Sequence, residues 1–208
     1  MLVILSLLAA LTAALTIIAK YRQSKRLEYI CKPLAMIWII LIALLNNDAL
    51  SSTYRALIVA GLLASLAGDV FLMLPGRFMQ GLVSFLIAHL FYIAAFTIEG
   101  EGTAPIWYIV PFALYGAVML WRLWPLLGSM KGPVMIYVVA ILIMAWQAAN
   151  RWIENKQSAT LLALVGAYLF VTSDSVKAVE KFRGTWRSAP FWVLSTYFAA
   201  QWLIALSV

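Results

Sequence analysis

Long apolar runs separated by short polar breaks dominate the chain. The runs cover residues 2–19, 33–45, 55–74, 79–98, 105–121, 133–149, 159–176 and 190–206. A helix needs about 20 apolar residues to cross a bilayer, so each run predicts one spanning helix. The second run is short and is expected to begin inside the preceding basic segment, 20–32. No basic residue precedes the first run, which predicts a first span rather than a cleavable signal. Pro75-Gly76 breaks the chain after the third run. Asn46, Asn47 and Asp48 close the second run, and a polar hairpin, 99–103, follows the fourth. Pro105, Pro133 and Pro190 each open a run, where a missing N–H costs little.

Composition agrees with that reading. Of 208 residues, 65% are apolar and 11% charged. Soluble domains have roughly 25% charged residues. The chain therefore lacks the polar surface of a water-soluble protein. The expected fold class is an all-α membrane protein, a bundle of eight transmembrane helices forming one integral membrane domain over residues 1–208. Cys31 is the single cysteine, so no internal disulfide forms. The net charge of +7 does not indicate nucleic acid, because no basic stretch carries a binding pattern. Twelve of the fifteen Lys and Arg fall on one side of an eight-span topology: those at 20–32, Arg77, Arg122, Lys131, Lys177, Lys181, Arg183 and Arg187. Arg55, Arg151 and Lys156 fall on the other. The positive-inside rule then predicts a cytoplasmic basic end and both termini on the opposite face. Short loops suit a bacterial inner membrane. Asp48, Glu99, Glu101 and Glu154 fall in the outer loops.

Six of the eight acidic residues are assigned to loops. Asp69 and Asp174 are not: they lie inside runs three and seven. A carboxylate inside a span costs about 2.5–3.5 kcal/mol on insertion scales and marks function more often than anchoring. The two runs point the same way, so the carboxyls share a depth near the basic end. Small and hydroxyl residues surround both, Ser65 and Gly68 near one, Thr172, Ser173 and Ser175 near the other. Such residues permit close helix approach and hydrogen bonding. Two carboxyls that meet resist double ionisation and can act as acid and base. Their separation of half the chain, with Phe78-Met-Gln-Gly81 and Phe182-Arg-Gly184 following at similar distance, suggests a four-plus-four parallel repeat.

His89, the single histidine, lies in the middle of run four. Either it carries a proton or binds substrate near the aspartates, or it serves packing alone. Ser84, Ala88 and Tyr92 share a helical face beside it. One His, one Cys and no clustered carboxylates give no closed metal set, so no metal or cofactor is expected. Lys32, Arg77, Lys177 and Arg183 crowd the basic rim, where they set orientation or capture a lipid phosphate.

The stretches Leu66-Ala-Gly-Asp69-Val-Phe-Leu-Met-Leu-Pro75 and Phe78-Met-Gln-Gly81, continuing through Ser84, Ala88-His89 and Tyr92, resemble the YhhN family. Lys32-Pro33-Leu34 at the opening of span two and Gly166-Ala-Tyr-Leu-Phe170-Val-Thr-Ser173-Asp174-Ser175 agree. The family includes the animal transmembrane lysoplasmalogenases. The resemblance implies hydrolysis of the vinyl ether of lysoplasmalogen to a fatty aldehyde and a glycerophospho-base. It implies that Asp69 and Asp174 are the acid and its partner, in an order left open. Ser84, His89, Tyr92, Ser173 and Ser175 would shape the pocket, and Lys32 would meet the phosphate. The partners implied are a lysophospholipid and bilayer lipids, with no obligate protein. Two rivals read the aspartates differently. One is a proton-coupled small-molecule transporter. The other is an intramembrane aspartyl protease, whose Gly-x-Gly-Asp is only partly echoed by Leu66-Ala-Gly-Asp69.

Overall fold

The computed structural model describes residues 1–46, 51–98 and 105–208. The expectations for Asn47, Asp48, Glu99, Glu101 and the rest of the polar hairpin lie outside the described residues. Eight long helices follow one another: α1 (Leu2–Tyr21), α2 (Lys25–Leu45), α3 (Ser52–Met73), α4 (Phe78–Ile98), α5 (Val110–Leu123), α6 (Lys131–Asn155), α7 (Ser158–Arg183) and α8 (Ala189–Leu206). A 3-10 turn, Ile106–Ile109, leads into α5, and two more follow it. Among the described residues there is no strand, and eight helical stretches are long and apolar enough to cross a membrane.

Local chemistry sets the boundaries. The Ser51 side chain accepts from the Tyr54 amide at 3.1 Å and caps α3. Gln157 and Thr160 form a reciprocal box at the start of α7. Proline sits in the first turn of α5 and of α8, where its absent N–H is harmless.

The helix ends depart from the sequence expectation. The basic segment 20–32 is not a loop: Arg22–Ser24 alone join α1 to α2, and Pro33 lies inside α2. Lys32-Pro33 therefore does not open a span. Its lysine is carried a full two turns into the helix. Glu28, Glu154 and Glu180, assigned to loops, are helical as well. The cause is common to all. A helix runs on past its apolar stretch while its polar ends face the interface, and hydropathy records only the apolar part.

α3 lies along α4, α7 along α8, and α1 along α2. α8 also touches α1, α2 and α3, and α6 bridges α4 and α7. α5 stands outermost, against α6 and α7, and is largely exposed. The two halves are thus packed differently at their flanking hairpins. The α3–α4 contact is close because Gly61 faces the Tyr92 ring and Gly68 faces the Phe85 ring. Tyr54, Ile58, Met36, Ile39, Phe170 and Ile204 fill the centre of the bundle.

Candidate active site

Asp69 lies one turn before the end of α3 and is 1% exposed. A charge so far from water persists only with close partners. It has two. Lys32 Nζ, reaching from α2, lies 2.9 Å from Oδ1. The Tyr197 hydroxyl, from α8, donates to Oδ2 at 2.6 Å. Tyr197 is itself fixed edge-on against Phe85 and Phe170, with ring centroids 5.9 and 5.7 Å away. Three helices and an aromatic wedge therefore hold one carboxylate.

Asp174, on α7, is partly buried and differently paired. The Tyr137 hydroxyl, from α6, donates to its Oδ2. Among the described residues it has no ion-pair partner, since Lys177 Nζ turns to Glu180 at 2.9 Å. Its neighbours tie the surrounding helices together. Ser173 donates to the Val193 carbonyl on α8 at 2.9 Å, and Tyr115 of α5 donates to Ser175 at 2.7 Å.

Both aspartates line one cavity of about 160 Å³. Its walls are apolar, with Leu72, Phe85, Leu123, Ile141 and Leu194 among them. Its mouth lies at the basic end, between the Lys20–Glu28 pair at 2.6 Å and the Lys177–Glu180 pair. One carboxylate is neutralised by a lysine and the other is not, so the two are chemically unlike. A group that binds between them meets a lysine-paired carboxyl on one side and a carboxyl held by a phenol on the other.

The expected site residues separate into two sets. Asp69, Asp174, Lys32, Ser173 and Ser175 line the cavity. Ser84, His89 and Tyr92 lie behind its wall. Ser84 donates to the Ala64 carbonyl at 2.8 Å, and Tyr92 donates to Gln201 Oε1 at 2.7 Å. Those bonds tie Ser84 to α3 and Tyr92 to α8, and none of the three residues lines the cavity. His89 is fully buried, with Tyr137 and Phe170 edge-on at 5.0 and 4.9 Å. Neither of its ring nitrogens has a hydrogen-bond partner among the described residues. Lys32 was expected at the rim, facing a phosphate; it is turned inward onto Asp69 instead. Arg77 and Arg183 are exposed and line no part of the cavity. Among the described residues no three His, Cys, Asp or Glu side chains gather as a metal site.

Sequence reasoning missed Tyr137, Tyr197, Glu28 and Glu180. The tyrosines left one trace. Both lie well inside their helices rather than in an interfacial belt, and a phenol there needs a polar partner.

The chain matches the model of the YhhN family over residues 27–208. It is 30% identical over 201 residues to the uncharacterized membrane protein YhhN of Escherichia coli O157:H7, covering 95% of each chain. It is 33% identical over 191 residues to lysoplasmalogenase TMEM86A of Bos taurus, covering 85% of this chain and 75% of that one. It is 33% identical over 159 residues to human lysoplasmalogenase TMEM86B, covering 76% and 65%. No solved structure matches the chain.

Proposed function

The chain belongs to the YhhN family, and from that premise we propose that it is a lysoplasmalogenase-like membrane hydrolase. Relatives at about 33% identity carry that name. The observation that carries the reading is the unlike pairing of Asp69 and Asp174 across one cavity.

A vinyl ether is inert to base and opens after protonation on carbon. Asp174, which has no ion-pair partner among the described residues, is the proton donor. Its proton goes to the chain carbon two bonds from the ether oxygen, and the double-bond electrons form the new C–H bond. The adjacent carbon and the oxygen then share a positive charge. Asp69, an anion held by Lys32 and Tyr197, stabilises that cation. It also takes a proton from the attacking water, whose oxygen bonds to the cationic carbon. The resulting hemiacetal collapses. Its hydroxyl proton returns to Asp174, the bond to the glycerol oxygen breaks, and that oxygen takes the proton from Asp69. Products are a fatty aldehyde and a glycerophospho-base, with both carboxyls restored. The logic is that of paired carboxylates in glycoside hydrolysis.

The charged mouth suits a polar headgroup, with Lys20 and Lys177 available to a phosphate and Glu28 and Glu180 to an amine. Substrate and surrounding bilayer lipids are the partners in this reading. The membrane is a bacterial inner membrane, with the cavity mouth on the cytoplasmic face.

The reaction is tested with purified protein in detergent and no ion gradient. Lysoplasmalogen is supplied in deuterated, ¹⁸O-labelled water, and the aldehyde is trapped at once by reduction. One deuterium is expected on the carbon beside the former carbonyl, and the glycerol product keeps its original oxygen. Label in the glycerol oxygen, or no aldehyde at all, overturns the reading. Proton-driven solute uptake by vesicles without aldehyde release would favour the transporter.

A further inference from the structure

A second concavity lies on the flank of the bundle between α4 and α6. Met79, Leu82, Val83 and Leu86 form one side, and Pro133, Ile136 and Tyr137 the other. Gly132 widens it by carrying no side chain. Met79, Val83 and Ile136 are among its exposed apolar residues, so the groove opens sideways on the flank, along the first turns of α4 and α6. Two of its residues, Leu82 and Tyr137, also line the aspartate cavity. Tyr137 is a partition: its ring closes the groove on one face, and its hydroxyl donates to Asp174 on the other.

We propose that this groove holds the alkyl chain of the substrate and is its lateral route from the bilayer. The inference rests on the reading of the protein as a vinyl ether hydrolase. The scissile bond fixes the geometry. In such a lipid the double bond is at the very start of the alkyl chain, so its reacting carbon must reach Asp174 while the remaining methylenes leave at once. The headgroup occupies the opposite direction. The charged mouth, with Lys20, Glu28, Lys177 and Glu180, takes polar groups and not methylenes. The groove meets the cavity at the tyrosine bonded to Asp174, and its lining is apolar apart from that phenol. A chain leaving there keeps its hydrocarbon against hydrocarbon and never crosses the polar rim.

Two measurements decide this. The first compares turnover of a long-chain lysoplasmalogen with that of a short, water-soluble alkyl vinyl ether. Val83→Trp and Ile136→Trp fill the groove and are expected to lower the long-to-short rate ratio by about tenfold or more. Leu7→Trp, exposed on α1 and lining neither cavity, is expected to leave it unchanged. An unchanged ratio in both groove variants overturns the proposal. The second measurement does not need catalysis. A non-hydrolysable saturated ether lysolipid with a photoreactive group in mid-chain is irradiated with the protein, and adducts are mapped by mass spectrometry. Adducts within 79–86 and 132–137, suppressed by excess unlabelled lysolipid, support the groove. Adducts confined to other helices, or unaffected by competition, overturn it. Where wild type cleaves neither vinyl ether, the hydrolase reading fails, and the adduct map still decides the groove.

Discussion

Asp69 is 1% exposed and Lys32 is the cation beside it, 2.9 Å away. Removing one member of a buried pair strands the other, at a cost of about 3–5 kcal/mol. Lys32→Met is therefore expected to lower the melting temperature in detergent and abolish turnover. In Lys32→Met/Asp69→Leu both charges are gone, so stability should return while activity does not. A double variant as unstable as the single one would show that the pair does not act as a unit. The phenols follow the same reasoning. A hydrogen bond to a charged group is worth about 1.5–3 kcal/mol. Tyr197→Phe should accordingly lower kcat by about ten- to hundredfold with KM little altered, as steady-state kinetics would measure. A proportional change in KM alone would place Tyr197 in substrate binding. The aspartates were legible because a carboxylate inside an apolar run contradicts its surroundings. Lys32 was read as a rim residue rather than as the partner of Asp69, because it stands at the edge of such a run, where hydropathy assigns charge to the loop. Tyr137 and Tyr197 were hidden because a phenol within an apolar segment has the same pattern as core.

Elements were legible where apolar periodicity is long. All eight spans were readable, and their ends were not. α2 begins at Lys25 and α7 continues to Arg183, several residues beyond their apolar stretches. Those overhangs bring Glu28, Lys177 and Glu180 to the cavity mouth. Helix pairing was also invisible, because it depends on which small residues face a neighbour. At Gly166 an added Cβ would lie 2.9 Å from the Ala200 carbonyl oxygen of α8, a backbone atom that cannot swing aside. Gly166→Ala is expected to cost about 1–3 kcal/mol through overpacking. It should also reduce turnover, because α7 and α8 carry Asp174 and Tyr197. Thermal unfolding in detergent and the aldehyde assay check both effects. A variant with unaltered stability would mean that the α7–α8 contact yields more easily than its geometry implies.

Across the whole molecule, charge and chemistry gather at one end. The turns joining α1 to α2, α3 to α4 and α7 to α8 lie there, together with the cavity mouth and most of the basic residues. The fold brings residues from α2, α3, α6, α7 and α8 to two carboxyls that are half a chain apart in sequence. Compartment reporters fused to the two termini should both report the face opposite the basic end, as the distribution of Lys and Arg requires. Reporters on opposite faces would break the eight-span topology.

The central claim, that Asp174 gives the proton and Asp69 steadies the cation, meets its most direct test in one assay. Purified wild type, Asp69→Asn and Asp174→Asn are compared for aldehyde release from lysoplasmalogen, with folding confirmed by helical circular dichroism and a monodisperse elution profile. Loss of a general acid or base typically lowers the rate by about 10²–10⁴-fold. Both folded variants are expected to fall by at least that much. Either one turning over at close to the wild-type rate would contradict the mechanism.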